Sequence, residues 1–143
     1  MRVSQMIKEI KPKEAFSLLE QQKNAVLIDV RSTMEYSFVG HPINAIHVPL
    51  REPPDWKNKP EFVATLRETL AATAAENSML DDTPLFMLCR SGARSMLAAE
   101  MLVKDGFTRV YNIAEGFEGD RDDSGHRNTI NGWRFHDLPW EQS

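Results

Sequence analysis

The chain of 143 residues carries a single cysteine, which excludes an internal disulfide framework. A lone thiol fits a reducing cytosol, so a cytoplasmic protein is expected. No apolar run approaches the length of a membrane span. The opening stretch, Met1-Arg-Val-Ser-Gln-Met-Ile-Lys-Glu-Ile10, lacks the unbroken apolar core of a signal peptide. No membrane partner is therefore expected. Basic charge is in deficit: 17 Lys and Arg against 21 Asp and Glu leave a net charge of −4. That balance argues against a general nucleic-acid binder. His41, His47, His126 and His136 show no short paired spacing, and no second cysteine joins them, so neither a metal nor a cofactor is expected. There are no internal repeats and no low-complexity linker. What remains is an ordinary composition, with 41% hydrophobic and 27% charged residues. The length suits one domain over residues 1–143, large enough to bury a core.

Helix and strand patterns alternate along this chain. Pro12 to Leu19 reads as a short amphipathic helix with proline in its first turn. Asn24 punctuates, and Ala25 to Val30 reads as a buried strand. Ile46 to Val48 is a short second strand, broken before Pro53-Pro54. From Pro60, the spacing of Phe62, Val63, Leu66 and Leu70 predicts a helix. Leu85 to Leu88 is a further strand, Ser95 to Asp105 a helix stopped by Gly106, and Arg109 to Ile113 the last strand. Such alternation predicts an α/β fold, with a mostly parallel central sheet and helices on both faces. Ligands bind such sheets at the carboxyl ends of the strands. Trp56, Trp133 and Trp140 read as packing residues.

The only cysteine sits at one of those ends, in Leu85-Phe-Met-Leu-Cys89-Arg-Ser-Gly-Ala-Arg94-Ser95. A short apolar run delivers the thiol to a basic loop, and a helix begins directly after. Helix N-termini present unpaired N–H groups and partial positive charge. Arg90 and Arg94 add full charge. This setting favours a thiolate and holds anions in the loop. A cysteine alone at a strand end is commonly a small buried apolar residue. The cationic loop tips the reading towards a nucleophile, because packing does not require it.

Spacing separates two chemistries. Cysteine-dependent phosphatases place an arginine six residues after the cysteine. Here the sixth residue is Ser95, and the arginine, Arg94, is the fifth. The shorter loop suits the terminal sulfur of a persulfide better than a tetrahedral oxyanion. At this point the sequence resembles the rhodanese (sulfurtransferase) family, whose active loop runs from the cysteine over six residues. The resemblance extends to Leu27-Ile-Asp29-Val-Arg31, Glu35-Tyr36 and Gly40-His41-Pro-Ile43-Asn-Ala45. The family's usual form of the last is Gly-His-Ile-Pro-Gly-Ala, a local departure that affects the turn more than the chemistry. Tyr111-Asn-Ile-Ala-Glu-Gly116-Phe-Glu-Gly119, Gly132-Trp133 and Leu138-Pro139-Trp140 resemble its closing segment.

The resemblance implies that the Cys89 thiolate takes the outer sulfur of a small sulfur-containing anion such as thiosulfate. The resulting persulfide then passes its sulfur to a thiol or cyanide acceptor, with a sulfur-relay protein as a further candidate partner. The N–H groups from Arg90 through Ser91, Gly92, Ala93 and Arg94 to Ser95 would cradle that sulfur. Arg90 and Arg94 would attract the donor anion, and Gly92 would permit the tight loop. Asp29 ends a buried strand and needs partners, while Arg31 and Glu35 are expected to pair as a salt bridge or loop clamp. In the family, residues at these positions brace the loops around the site. His41 is expected to bond the backbone. Two alternatives stay open: a non-catalytic binding or sensing module of the same fold, and a phosphatase or arsenate reductase. The segment Asp120-Arg-Asp122-Asp-Ser124-Gly125 resembles the start of a calcium loop, but Asn131 stands where glutamate belongs. It is expected to be a polar surface loop at one rim of the site.

Overall fold

The computed structural model describes residues 2–74 and 79–143; residue 1 and residues 75–78 of the expected single domain lie outside the described residues. Five strands form one parallel sheet: β1 (Ile7–Ile10), β2 (Val26–Asp29), β4 (Ile46–His47), β5 (Leu85–Leu88) and β6 (Val110–Ile113). Their spatial order is β1-β6-β5-β2-β4. Three α-helices join them: α1 (Pro12–Gln21), α2 (Phe62–Thr73) and α3 (Ala93–Lys104). A separate antiparallel pair couples β3 (His41–Pro42) to β7 (Trp140–Glu141). No helix among the described residues is long and apolar enough to cross a membrane. The expected α/β architecture is present, with helices on both faces.

Side-chain alternation along the strands builds the two layers. Ile28, Val30, Leu85 and Met87 face one side, where Phe62, Leu66 and Leu70 of α2 and Ala98, Ala99 and Leu102 of α3 cover them. Leu27, Phe86, Leu88 and Ile113 face the other, against Ala15 of α1, Phe117 and Trp133. Burying a side chain of this size stabilises the fold by roughly 1.5–3 kcal/mol. Trp133 is 1% exposed, and its Nε1 donates to the Pro139 carbonyl at 3.0 Å. Its burial supports the packing reading, whereas Trp56 is 48% exposed and has no core role. Strand β5, the middle of the sheet, is buried at every residue.

This strand order has a switch point. After β2 the chain moves outward to β4, and after β5 it moves the opposite way to β6. The connections leaving β2 and β5 therefore diverge, and a crevice opens between their carboxyl ends. Asp29 is paired in register with Leu88, so Asp29 and Cys89 flank that crevice. Asp29 and Arg31 brace one wall. Both side chains are fully buried, and Arg31 Nη2 donates to Asp29 Oδ2 at 2.7 Å and to the Gly40 carbonyl at 2.6 Å. The guanidinium also stacks over the Phe117 ring at 4.5 Å.

Strands β1, β3 and β7, a π-helical turn and two 3-10 turns, Val3–Met6 and Leu80–Asp82, are not marked by any local pattern in the sequence. Strand β1 carries Lys8 and Glu9 between its two buried isoleucines, so no run or alternation marks it. The β3–β7 pair is formed by two-residue strands far apart in the chain. A π-helical turn spans Glu35–Val39.

Arg31→Met removes the counter-charge of a fully buried carboxylate while keeping an unbranched apolar stem. Breaking a buried pair from one side costs about 3–5 kcal/mol. Urea unfolding should show that loss in the variant. An unchanged midpoint would mean that Asp29 finds another partner.

Candidate active site

Strand parity and the helix start fix the sulfur's place. Cys89 continues β5 on the face covered by α3 and is 1% exposed. The chain then turns through Arg90 and Ser91 to Gly92, whose φ of +116° is strained for any side chain, and α3 begins at Ala93. The turn brings the Gly92 N–H to Cys89 Sγ at 3.1 Å. Ser95, in the first turn of α3, sets its hydroxyl 3.3 Å from the same sulfur. The Gly92 N–H is aimed at Sγ, and the Ser95 hydroxyl lies within hydrogen-bond reach of it.

Asn112 supports this arrangement from β6. Its Nδ2 donates to the Gly92 carbonyl at 3.1 Å, and its Oδ1 accepts from the Ser95 hydroxyl at 2.5 Å. The hydroxyl has one proton for Asn112, Sγ and the Gly92 carbonyl. The Asn112 contact is the shortest of the three, so the fixed donor to Sγ is the Gly92 N–H, with the Ser95 hydroxyl within reach of the sulfur. Sequence reasoning missed Asn112, although a polar residue inside an apolar strand is itself a signal that a buried partner is needed.

The loop is held from behind by the segment after β6. The Phe117 N–H donates to the Cys89 carbonyl at 2.8 Å, and the Glu118 N–H donates to the Arg90 carbonyl at 3.0 Å. Gly116 makes this approach possible. It has a φ of +62°, and a Cβ there would lie 2.5 Å from the Cys89 carbonyl oxygen.

The charged residues are arranged differently from the expectation. Glu35 does not pair with Arg31; it faces Arg94 across the crevice, with Nη1–Oε1 at 2.8 Å and Nη2–Oε2 at 2.9 Å. An i, i+4 pair needs a helix through both residues, but Arg31 precedes the helical turn and points inward to Asp29. Arg94 is thus committed to a carboxylate and is not free to attract a donor anion. Burial works to raise the Glu35 carboxyl, yet the Arg94 fork and charge, together with Ser32, hold it at about 2 against an ordinary 4.5. Arg94 is raised in turn, chiefly by its hydrogen bonds to Glu35. Arg90 is exposed and has no ion-pair partner among the described residues. His41 Nδ1 meets the Tyr36 carbonyl at 2.8 Å, the backbone contact expected of it. A cleft of about 520 Å³ opens over the loop, walled by Glu35, Arg51, Trp56, Arg90, Arg94 and Glu118. Another, of about 490 Å³, lies beside Val26 and Leu70 at the amino ends of the strands, away from Cys89.

The depressed Glu35 carboxyl makes a pH prediction. Because its folded value lies below its unfolded one, its contribution to stability is complete above the unfolded value. It is lost as pH falls from about 4.5 towards about 2. Glu35→Gln should flatten the acid limb of stability by an amount on the order of 3 kcal/mol. Urea unfolding across that pH range measures it, and parallel profiles for the two proteins would contradict the pairing.

Comparison with known proteins places this geometry. The family model described as the rhodanese-like domain matches residues 11–123. An uncharacterized protein of Rickettsia prowazekii is 33% identical over 141 residues, covering 95% of this chain and 98% of its own. The crystal structure of Rv0390 from M. tuberculosis superposes with a TM-score of 0.80 at 36% identity, covering 95% of this chain and 98% of that one. The polysulfide-sulfur transferase of Wolinella succinogenes shares the fold, with a TM-score of 0.64 at 21% identity, over 99% of this chain and 82% of its own.

Proposed function

Because this chain belongs to the rhodanese-like domain family, we propose that it is a sulfurtransferase that carries sulfane sulfur on Cys89. The observation that carries the reading is the sulfur's surroundings: Sγ lies in a closed loop, receives the Gly92 N–H at 3.1 Å and has the Ser95 hydroxyl 3.3 Å away. Donors fixed around a sulfur favour its anionic form and any sulfur bound to it. The proposed donor is a small sulfur-containing anion such as thiosulfate. The Cys89 thiolate attacks its outer sulfur, the S–S bond of the donor breaks, and sulfite leaves with the electron pair. Exposed Arg90 draws the anion in, and the pairing of Arg94 with Glu35 leaves the loop mouth free of a competing phosphate clamp.

In the second half-reaction an acceptor thiol, cyanide or a sulfur-relay protein takes the sulfur. The Sγ–S bond breaks, and Cys89 regains its electron pair. This is covalent, ping-pong catalysis. The cysteine's 1% exposure supports a small terminal sulfur over a bulky tetrahedral group as the cargo. A purely structural or sensing module has no use for hydrogen-bond donors converging on one sulfur, which favours the catalytic alternative. The Wolinella protein's name attaches sulfur transfer to this fold, at an identity that carries the fold alone.

A single cysteine makes the test unambiguous. Intact-mass measurement after treatment with thiosulfate should show one added sulfur on the native protein and none on Cys89→Ser. The variant should keep its fold, since the volume change is small. Sulfur retained by Cys89→Ser would overturn the mechanism.

A further inference from the structure

The cleft over the thiol loop does not end at the loop. Arg90 and Glu118 also line a second open hollow of about 660 Å³, whose far wall is Arg121, Gly125, His126 and Arg127. That wall belongs to the polar segment before Gly132. Two of its three aspartates, Asp120 and Asp122, are engaged within the segment, and the third, Asp123, is exposed and does not line the hollow. Asp122 accepts from the N–H groups of Ser124 at 2.8 Å and His126 at 2.9 Å, and from the Thr129 hydroxyl at 2.7 Å. Asp120 accepts from Asn131 Nδ2 at 3.0 Å. Asp122 thus shapes the loop that presents the arginines.

The cations, by contrast, are uncompensated. Among the described residues, Arg90, Arg121 and Arg127 have no carboxylate within ion-pair distance. Arg127 Nη1 donates to the Gly119 carbonyl at 2.7 Å, which fixes the side chain and leaves its charge unmatched. Arg121 lies across Gly125, where an added Cβ would come within 3.1 Å of its Nη2. Glu118 is the sole carboxylate lining the hollow. In a chain of net charge −4, unmatched guanidiniums gathered round one hollow favour anion binding there. The size suits a small molecule, and guanidinium forks suit phosphate or carboxylate.

We propose that this hollow binds an anionic group remote from the reacting sulfur, and that the acceptor is a small thiol with a multiply charged anionic tail. The proposal rests on the sulfurtransferase reading and names the acceptor class for that site. Thiosulfate and cyanide are too small to occupy the loop and the hollow together. The acceptor thiolate attacks the outer sulfur of the Cys89 persulfide, the Sγ–S bond breaks, and Cys89 leaves as thiolate. The sulfur departs as the acceptor's own persulfide, so no oxidant or reductant enters.

Coenzyme A and pantetheine share one thiol arm and differ in the phosphate-bearing tail, so they serve as probes. Calorimetry on the sulfur-free protein should show coenzyme A binding at least about tenfold more tightly than pantetheine, the scale of one charge-assisted contact. The kcat/KM for taking sulfur from the loaded enzyme should follow the same ratio. Arg121→Glu should erase the preference, Arg121→Lys should retain part of it, and Arg109→Glu, outside the hollow, should leave it intact. Equal binding of the two thiols overturns the proposal. So does a preference that survives Arg121→Glu, or one that Arg109→Glu removes equally. The calorimetry needs no sulfur chemistry, so a failure there overturns the anion site, whereas a failure of thiosulfate to load Cys89 overturns the reading beneath it.

Discussion

A trans peptide points its carbonyl and its N–H in opposite directions, and the Cys89 loop depends on that constraint. The Cys89 and Arg90 carbonyls are held outward by the Phe117 and Glu118 N–H groups at 2.8 and 3.0 Å. Their peptide partners, the N–H groups of Arg90 and Ser91, then point away from that segment. The Gly92 N–H already reaches the sulfur. The polarity of the loop interior is therefore set by a segment more than twenty residues further along the chain, and Gly116 permits its close approach. Donors fixed in advance need no reorganisation when charge arrives, and one such donor is worth roughly 2.7–4 kcal/mol in other enzymes that stabilise an anion this way.

Charge around the crevice is divided by burial. The Asp29–Arg31 pair is fully buried, and the Arg94–Glu35 pair lies mostly so. Removing charges from water is costly, and such pairs add little net stability over apolar packing. Their effect is on position. Arg31 joins the end of β2 to Gly40 and Phe117, and Arg94 ties α3 to the turn after β2. These two fastenings cross the switch point of the sheet, where diverging connections would otherwise leave the crevice walls unsupported. Exposed Arg90, with Arg121 and Arg127 beyond it, carries charge that no carboxylate among the described residues pairs.

Much of this was legible in the sequence because it is local. The apolar runs gave β2, β5 and β6, the spacing of Phe62, Leu66 and Leu70 gave α2, and the basic stretch after Cys89 marked the loop. The remainder depends on contacts that no local pattern encodes. The sequence suggests a pairing of Glu35 with Arg31, yet the fold brings Glu35 to Arg94, fifty-nine positions away. Arg94 looks free for the donor in the sequence because its partner lies in another element. Asn112 was passed over inside a strand, and β1 was hidden by the charges of Lys8 and Glu9 on its exposed positions. The segment around Asp122 looked like the start of a cation loop, but its carboxylate is taken up by local N–H and hydroxyl donors.

The central claim is that the loop's N–H groups converge on the sulfur carried by Cys89. Amide proton and nitrogen shifts, recorded by NMR on the protein before and after it takes one sulfur from thiosulfate, test this directly. The account predicts downfield movement of the amide protons of Arg90, Ser91 and Gly92 on loading. It also predicts little change in the Phe117 and Glu118 amides that hold the loop from outside. Loading confirmed by mass with the loop amides unmoved, or with the largest shifts elsewhere in the molecule, would contradict it.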